Sequence, residues 1–557
     1  MTTVRPAPAP APVAEVKAPR AAVLVVDQLV HTLLELWRSR VVFVFTFLFP
    51  LSWLLVLGFL AGNETVAGGS GIRVMQFVTP SAAAMGVTYA AFPTVAITLS
   101  LARESGVLKR VRGTPLPTWA YLAGRIGAAV VFALGSVLLM LTVGVLAYDV
   151  QIITATLPAT IVTVAVAIAC FAALGLALAS VSPSATFAQA AAIGSAVVVT
   201  FLSGLYSDGE QAAWADRIAG VLPLKPFNDA LEDQFDPLAS GAGWDLGALA
   251  IMAVWMVGAL VVALRAFGWD PKQRTRRTGP VDVPVGGGGQ RRTSGSGASA
   301  VEVDDRPGTA SMLLQQVRHT TVAAWRDPGW VFFAVGLPVG LFSYNMANYG
   351  GSGIELHGAS YVVAYAAGMI TWGAAVTGFV NMPSAIAESR DAGVLKRLRG
   401  TPLSPALYIV GRVVSALWIT LLTAALVVVV GMAFFDLRPD WAQLPAAAAV
   451  LLLGTTTFAA CGVALSSLLP SSKAVSAVAL ALLLPLSFFS DIFVIVGLPG
   501  WMETVGSLLP FKHTANLLAT LMEPGLATSW GGVLVLLGWL AVAGWVAVRT
   551  FRWERRA

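Results

Sequence analysis

The sequence predicts an all-α integral membrane protein with twelve transmembrane helices. They form two parallel six-helix repeats, each preceded by an interfacial amphipathic helix. Scarce charge, apolar runs of membrane-spanning length and an internal duplication together lead there. Of 557 residues, 57% are hydrophobic and only 11% are charged, against roughly 25% charged in average soluble domains. A soluble enzyme of this size would need far more charge to cover its surface. Disordered chains and coiled coils are excluded on the same ground. The net charge of +6 reads as a topology signal, and no nucleic-acid partner is expected. Two cysteines, Cys170 and Cys461, lie inside apolar runs. They exclude a disulfide framework or a thiolate zinc cluster and read as small buried residues.

Residues 1–20 are rich in Pro and Ala and lack the apolar core of a signal peptide, so they read as a disordered tail. In residues 22–40, Leu29, Val30, Leu33, Leu34, Leu36 and Trp37 form an apolar stripe, with Asp27, Gln28, His31, Glu35 and Arg38 largely elsewhere. That pattern predicts a helix lying in the membrane interface. Residues 311–328 carry a weaker copy, with Leu313, Val317, Val322 and Trp325. A bilayer core of roughly 30 Å needs roughly 20 apolar residues as helix. Such runs fall at about 41–61, 76–100, 125–148, 158–181, 187–206 and 245–264. Six more fall at about 330–348, 360–386, 413–436, 444–468, 474–496 and 530–548. Lipid cannot satisfy backbone groups, so the spans must be helical. With the N-terminus in the cytoplasm, all but five of the 35 Lys and Arg face the cytoplasm. The exceptions are Arg73, Arg217, Lys225, Arg438 and Lys512. This asymmetry predicts a multi-pass plasma-membrane protein with both termini inside.

The duplication is direct. Residues 103–125 read RESGVLKRVRGTPLPTWAYLAGR, and residues 390–412 read RDAGVLKRLRGTPLSPALYIVGR. Outside this loop, Gln28, His31, Thr32, Trp37 and Arg38 match Gln316, His319, Thr320, Trp325 and Arg326, and Pro50 matches Pro338. Pro183-Ser184 matches Pro470-Ser471, while Trp214, Pro223 and Lys225 match Trp501, Pro510 and Lys512. One register held over this distance is a tandem duplication. An even number of spans per half makes the repeats parallel. Domains are expected at 21–270 and 311–557. The Gly- and Ser-rich stretch 271–310 between them reads as a flexible cytoplasmic linker.

The loop between spans two and three is the most informative segment. Glu104 to Arg112 can form a short helix with Val107, Leu108 and Val111 on one side, stopped by Gly113-Thr114-Pro115. Positive-inside charge explains its basicity. It does not explain why the apolar positions, Gly and Thr-Pro recur in both copies. A short, stiff, amphipathic loop facing the cytoplasm suits docking into a soluble partner.

The Gly-Val-Leu-Lys-Arg-x-Arg-Gly-Thr-Pro-Leu loop with its following Tyr-x-x-Gly-Arg resembles that of ABC-2 type exporter permeases. Two copies in one chain resemble the actinobacterial fused form linked to polyketide-antibiotic, tetronasin-type or multidrug efflux. The resemblance implies that this loop carries a coupling helix seated on a separate ATP-binding-cassette ATPase. On the first copy it implicates Arg103, Glu104, Gly106, Val107, Leu108, Lys109, Arg110, Arg112, Gly113, Thr114 and Pro115. On the second it implicates Arg390, Asp391, Gly393, Val394, Leu395, Lys396, Arg397, Arg399, Gly400, Thr401 and Pro402. It also implies outer re-entrant helices at about 211–230 and 499–517. The residues agree, because Trp214, Leu222 and Pro223 are too apolar for a free loop yet too short a run to span. Two coupling loops imply two ATPase copies carrying ATP and Mg. No lysine of this chain follows Gly or precedes Ser or Thr, so it has no phosphate-binding loop of its own. No catalytic residue, metal site or bound cofactor is expected.

The family path for cargo lies between the halves, lined mainly by spans two and five. Candidates are Phe77, Tyr89, Phe92, Thr94, Phe201 and Ser203 in the first half. The second half offers Tyr361, Tyr365, Trp372, Asn381, Phe488, Phe489 and Asp491. Polar groups within spans are costly and tend to face cavities or other helices. The aromatic lining implies a hydrophobic or amphiphilic small-molecule cargo. Two alternatives stand beside this reading: an ion-coupled twelve-span transporter, disfavoured by the scarcity of mid-span acids, and export of a lipid-like or glycan substrate. A membrane enzyme finds no support, because His31, His319, His357 and His513 do not converge.

Overall fold

The computed structural model describes residues 21–38, 40–61, 64–65, 71–114, 116–205, 211–268, 309–351, 353–356, 358–398, 400, 404–493 and 499–550. The expected tail at 1–20 lies outside these residues, as does most of the expected linker. Thr309 and Ala310, placed at the linker's end by the sequence, already belong to the second interfacial helix, Thr309–Trp325.

The described residues are mostly helical. Among them the strands are Glu355–Leu356 and Ala359–Ser360, a small antiparallel hairpin between spans one and two of the second half. Among the described residues, eleven helices are long and apolar enough to cross a membrane. In the first half they are Val44–Ala61, Met75–Glu104, Trp119–Tyr148, Leu157–Val181, Ala185–Leu202 and Leu246–Ala266. In the second they are Gly329–Tyr349, Tyr361–Asp391, Ala406–Phe434, Leu444–Leu468 and Gly531–Thr550. Span five of the second half, Ser472–Phe488, is 17 residues long and contains Pro485. It stops well short of the expected 496. Span two is the hub of each half, its most apolar window being 89% and 94% buried. Span six packs on span four at the rim.

Span one shows how sequence dictates a local break. Pro50 and Pro338 have no N–H, so the carbonyls four residues earlier, on Thr46 and Ala334, lose their helical donors. In both halves the turn just before the proline widens to a π-helix, at Val44–Leu48 and Phe332–Gly336. A freed carbonyl in lipid must find another donor. Span three supplies it: Ser136 Oγ donates to Thr46 O at 2.8 Å, and Thr423 Oγ1 donates to Ala334 O at 3.0 Å. Gly86 and Gly373 on span two leave room for these hydroxyl side chains, since a Cβ at either would collide with them.

The interfacial helices, Ala21–Arg38 and Thr309–Trp325, both pack on span three. The crossing needs glycine. A Cβ on Gly124 would strike Gln28, and one on Gly411 would strike Gln316. These are the matched Gln and the Gly of the repeated Tyr-x-x-Gly-Arg. At the opposite end, paired short helices follow span five: Ala213–Val221 with Leu224–Phe235, and Gly500–Ser507 with Pro510–Met522. Leu224–Phe235 and Pro510–Met522 pack against spans two, four and six of their own half. These paired helices extend past the expected 230 and 517.

The halves meet reciprocally. Span five of each packs against the beginning of span one of the other.

Candidate functional site

The first site is the loop helix. Span two ends at Glu104, Gly106 turns left-handed (φ 72°), and a helix follows over Val107–Arg112. In the second half Gly393 (φ 68°) leads into Val394–Leu398. No atom lies within 4 Å of a Cβ built on either glycine. Backbone conformation alone therefore calls for glycine there. Leu108 and Leu395 are fully buried and pin each helix to the bundle. Lys109, Arg110 and Arg112 are exposed, as are Lys396 and Arg397. Val107 is half-buried and Val394 is exposed. Thr114 Oγ1 donates to Val111 O at 2.7 Å and closes the helix. Gly113 and Gly400 are exposed. Pro115, Arg399, Thr401 and Pro402 lie outside the described residues.

Arg103 and Arg390 do not join that exposed surface. Both are buried. Arg103 Nη2 donates to Ser182 O at 2.5 Å, just past the end of span four. Arg390 donates to Ser466 O at 2.8 Å and Leu469 O at 3.0 Å at the matching place. The neighbouring acids turn to span five: Glu104 accepts from Ala185 N at 2.7 Å, and Asp391 from Ser472 N at 2.8 Å. A cation thus meets the carbonyl end of one helix and an anion the amide end of the next, as helix dipoles favour. Ser184 and Ser471 cap span five directly, which accounts for the repeated Pro-Ser. The Arg–acid pair therefore holds the loop helix to the turn between spans four and five.

Behind the loop, Arg125 donates to Tyr121 Oη at 2.6 Å and pairs with Glu35 of the interfacial helix at 3.3 Å. In the second half Ala323 stands where Glu35 would be. Arg412 there stacks on Tyr408 at 5.1 Å and donates to Ser389 at 3.2 Å. Span three is tied to the interfacial helix in the first half. It is tied to span two in the second.

The second site is a cavity of about 870 Å³ between the halves. Of the expected path residues, Phe201, Tyr361, Tyr365, Trp372, Asn381 and Phe488 line it. Phe77, Tyr89, Phe92, Thr94, Ser203, Phe489 and Asp491 do not. Tyr89 stands behind the wall, its ring 6.0 Å from Phe45 and 5.3 Å from Phe49. Phe489 packs on Trp501. Asp491 pairs with Lys512 at 3.1 Å, both buried. Much of the lining that sequence reasoning missed comes from span one: Phe45, Phe49, Trp53, Phe333, Leu337 and Tyr344. The repeated proline breaks in span one were the available signal. Span two contributes only in the second half, where a π turn at Val376–Asn381, just before Pro383, brings both Val380 and Asn381 to the cavity. The equivalent stretch of the first half, Tyr89–Thr94, is regular helix around Pro93. Trp53, Phe488, Phe493 and Trp372 form a continuous aromatic chain across the halves at 5.2–5.7 Å spacing. Among the described residues no group of His, Cys, Asp or Glu could hold a metal ion.

A family model described as ABC-2 type transporter matches residues 29–235 and again residues 314–522. No curated protein matches the chain. The two matches cover most of the sequence, so the chain belongs to the ABC-2 type transporter family. It is the membrane permease component of an ATP-binding-cassette exporter, and members of the family work with a separate ATPase.

Proposed function

We propose that this ABC-2 permease exports hydrophobic or amphiphilic small molecules, of the kind handled by antibiotic and multidrug efflux systems. The cavity between the halves carries that reading: about 870 Å³, walled by aromatic and aliphatic side chains. A volume of this order suits a drug-sized ligand. Two copies of an ATPase, holding ATP and Mg, dock on the loop helices Val107–Arg112 and Val394–Leu398. The basic excess at that end supports a cytoplasmic orientation for it and for both termini. Leu108 and Leu395 anchor each helix, while Lys109, Arg110, Arg112, Lys396 and Arg397 meet the partner. Arg103, Glu104, Arg390 and Asp391 act as positioning residues behind them. The expected domain limits of 21–270 and 311–557 frame this division of labour, the second reaching back to Thr309 where its first helix begins.

Coexpression with an ATPase encoded beside the permease tests the assembly. Native mass spectrometry should find two ATPases per permease. Charge reversal at Lys109, Arg110 and Arg112 should release one of them without unfolding the chain. A panel of apolar drugs should stimulate ATP hydrolysis by the complex in proteoliposomes. Copurification without any ATPase, or hydrolysis by the permease alone, would end this reading.

A further inference from the structure

The cavity is not uniform along its length. Toward the outer end its walls are aromatic. At the loop-helix end they turn polar, with Thr186, Gln189, Ser384 and Ser476 around two carboxylates, Asp327 and Glu388. These are the only charged residues among the described lining. Asp327 Oδ1 accepts from the N–H groups of Gly329 and Trp330, at 3.0 and 3.2 Å, and so caps span one. No hydrogen bond reaches the Glu388 carboxylate from the described residues. Arg412 lies within electrostatic range of Glu388, but it is engaged by Tyr408 and Ser389 and does not line the cavity.

Neither acid belongs to the repeat. The positions that match Asp327 and Glu388 in the first half are Ser39 and Leu101. A carboxylate at the end of a membrane span is costly unless a partner or polar surroundings meet it. A second feature points to a ligand independently. Trp372 lines the cavity, is 6% exposed, and its indole N–H has no partner among the described residues. Asn381 Nδ2, between Trp372 and Glu388 on the same span, is likewise without one.

We propose that the cavity selects amphiphilic organic cations. Glu388 and Asp327 receive the cationic group. The aromatic walls hold the apolar body, and the Trp372 N–H meets a hydrogen-bond acceptor on it. Charge attraction acts at the polar end, and cation–π contact with the rings adds to it. This rests on the export reading for its role in transport, though not for binding itself.

Tetraphenylphosphonium and tetraphenylborate have the same shape and opposite charge. Calorimetric titration of each into the permease alone in nanodiscs, with empty nanodiscs subtracted, tests the selection. The cation should bind about tenfold tighter or more, the affinity change expected from one desolvated opposite charge. Glu388→Gln should erase most of that preference. Asp327→Asn, which keeps the helix cap, should reduce it less. Trp372→Phe should weaken rhodamine 6G, a cation bearing ester and ether acceptors, and leave tetraphenylphosphonium unchanged. Equal affinity for the two ions, or an unchanged preference in Glu388→Gln, would overturn the proposal. Rhodamine 6G binding unchanged by Trp372→Phe would overturn the acceptor contact. No ATPase enters the assay. Cation selection in a complex that no drug stimulates would instead sink the export reading, and charge-blind binding with drug-stimulated hydrolysis would do the reverse.

Discussion

The two halves keep one lysine in the same place and neutralise it differently. In the first half Lys225 lies 3.4 Å from Asp216 and 3.4 Å from Asp229, one turn further along its own helix. In the second half Lys512 meets Asp491, at the end of span five. The carboxylate has moved between elements. Asn516 occupies the position of Asp229, and Gly204 occupies that of Asp491. Asp491 keeps the left-handed backbone of that glycine, with φ of 56° against 76° for Gly204. A non-glycine residue is strained there. The pair with Lys512 and a hydrogen bond from Asn516 at 3.4 Å offset that strain. One scaffold therefore accommodates a part-exposed lysine with two acids in one half and a buried pair in the other.

The largest effect should come from breaking the buried pair. Asp491→Ala leaves Lys512 uncompensated and should cost about 3–5 kcal/mol. Asp229→Ala removes a half-exposed partner while Asp216 remains, and should cost about 1 kcal/mol or less. Thermal unfolding in detergent, followed by tryptophan fluorescence, ranks the two. The double change Asp491→Gly with Asn516→Asp transplants the first half's arrangement into the second. It should recover most of what Asp491→Ala loses. Similar losses in both single variants would mean that the two lysines sit in equivalent surroundings.

A second test sharpens what the halves share. Gly124→Ala and Gly411→Ala each place a Cβ against the glutamine of an interfacial helix. Overpacking of this kind costs about 1–3 kcal/mol. Both variants should also raise proteolysis within Ala21–Arg38 or Thr309–Trp325, and protection unchanged in both would refute the crossing. A smaller matched pair is Ser136→Ala and Thr423→Val. Each leaves the proline-freed carbonyl of span one without its donor, at about 1 kcal/mol. Equal losses are expected, because the geometry is the same in both halves.

The matched prolines, glycines and Pro-Ser pairs carried nearly all of the architecture into the sequence, because each marks a backbone event. Pro50 and Pro338 must free a carbonyl, and Ser184 and Ser471 sit where a helix must start. Cavity lining was far less legible. A soluble helix betrays its buried face by alternating polarity. In lipid both faces are apolar, so Phe45, Phe49 and Phe333 carry no mark of which way they turn. Asp491 misled for a related reason. Its cost within a span announced a special role, but the partner that explains it, Lys512, lies in another helix and shares no periodicity with it. Arg103 and Arg390 looked like part of the loop's basic surface. Only the end of span four, far away in sequence, shows why they turn inward.

The smallest expected effect separates the outer ends by pH. In the first half Glu232 accepts from Ser81 Oγ at 2.6 Å and Asn228 Nδ2 at 2.6 Å. The second half has Gly368, Ala515 and Ala519 at those positions. Burial pushes the Glu232 carboxyl above its ordinary value of 4.5, although the two hydrogen bonds pull the other way. The folded chain then binds this proton more tightly than the unfolded chain. Its stabilising contribution is complete below the ordinary value and is lost as pH rises through the raised one. Glu232→Gln removes the titration and keeps an oxygen to accept. The stability of the native chain relative to this variant should therefore fall as pH rises from the ordinary value of 4.5 through the raised one, then level off. Unfolding temperatures measured across that range decide it. Parallel curves would show that Glu232 keeps an ordinary carboxylate's affinity for its proton, and that the polar outer end of the first half is no more sensitive to pH than its apolar counterpart.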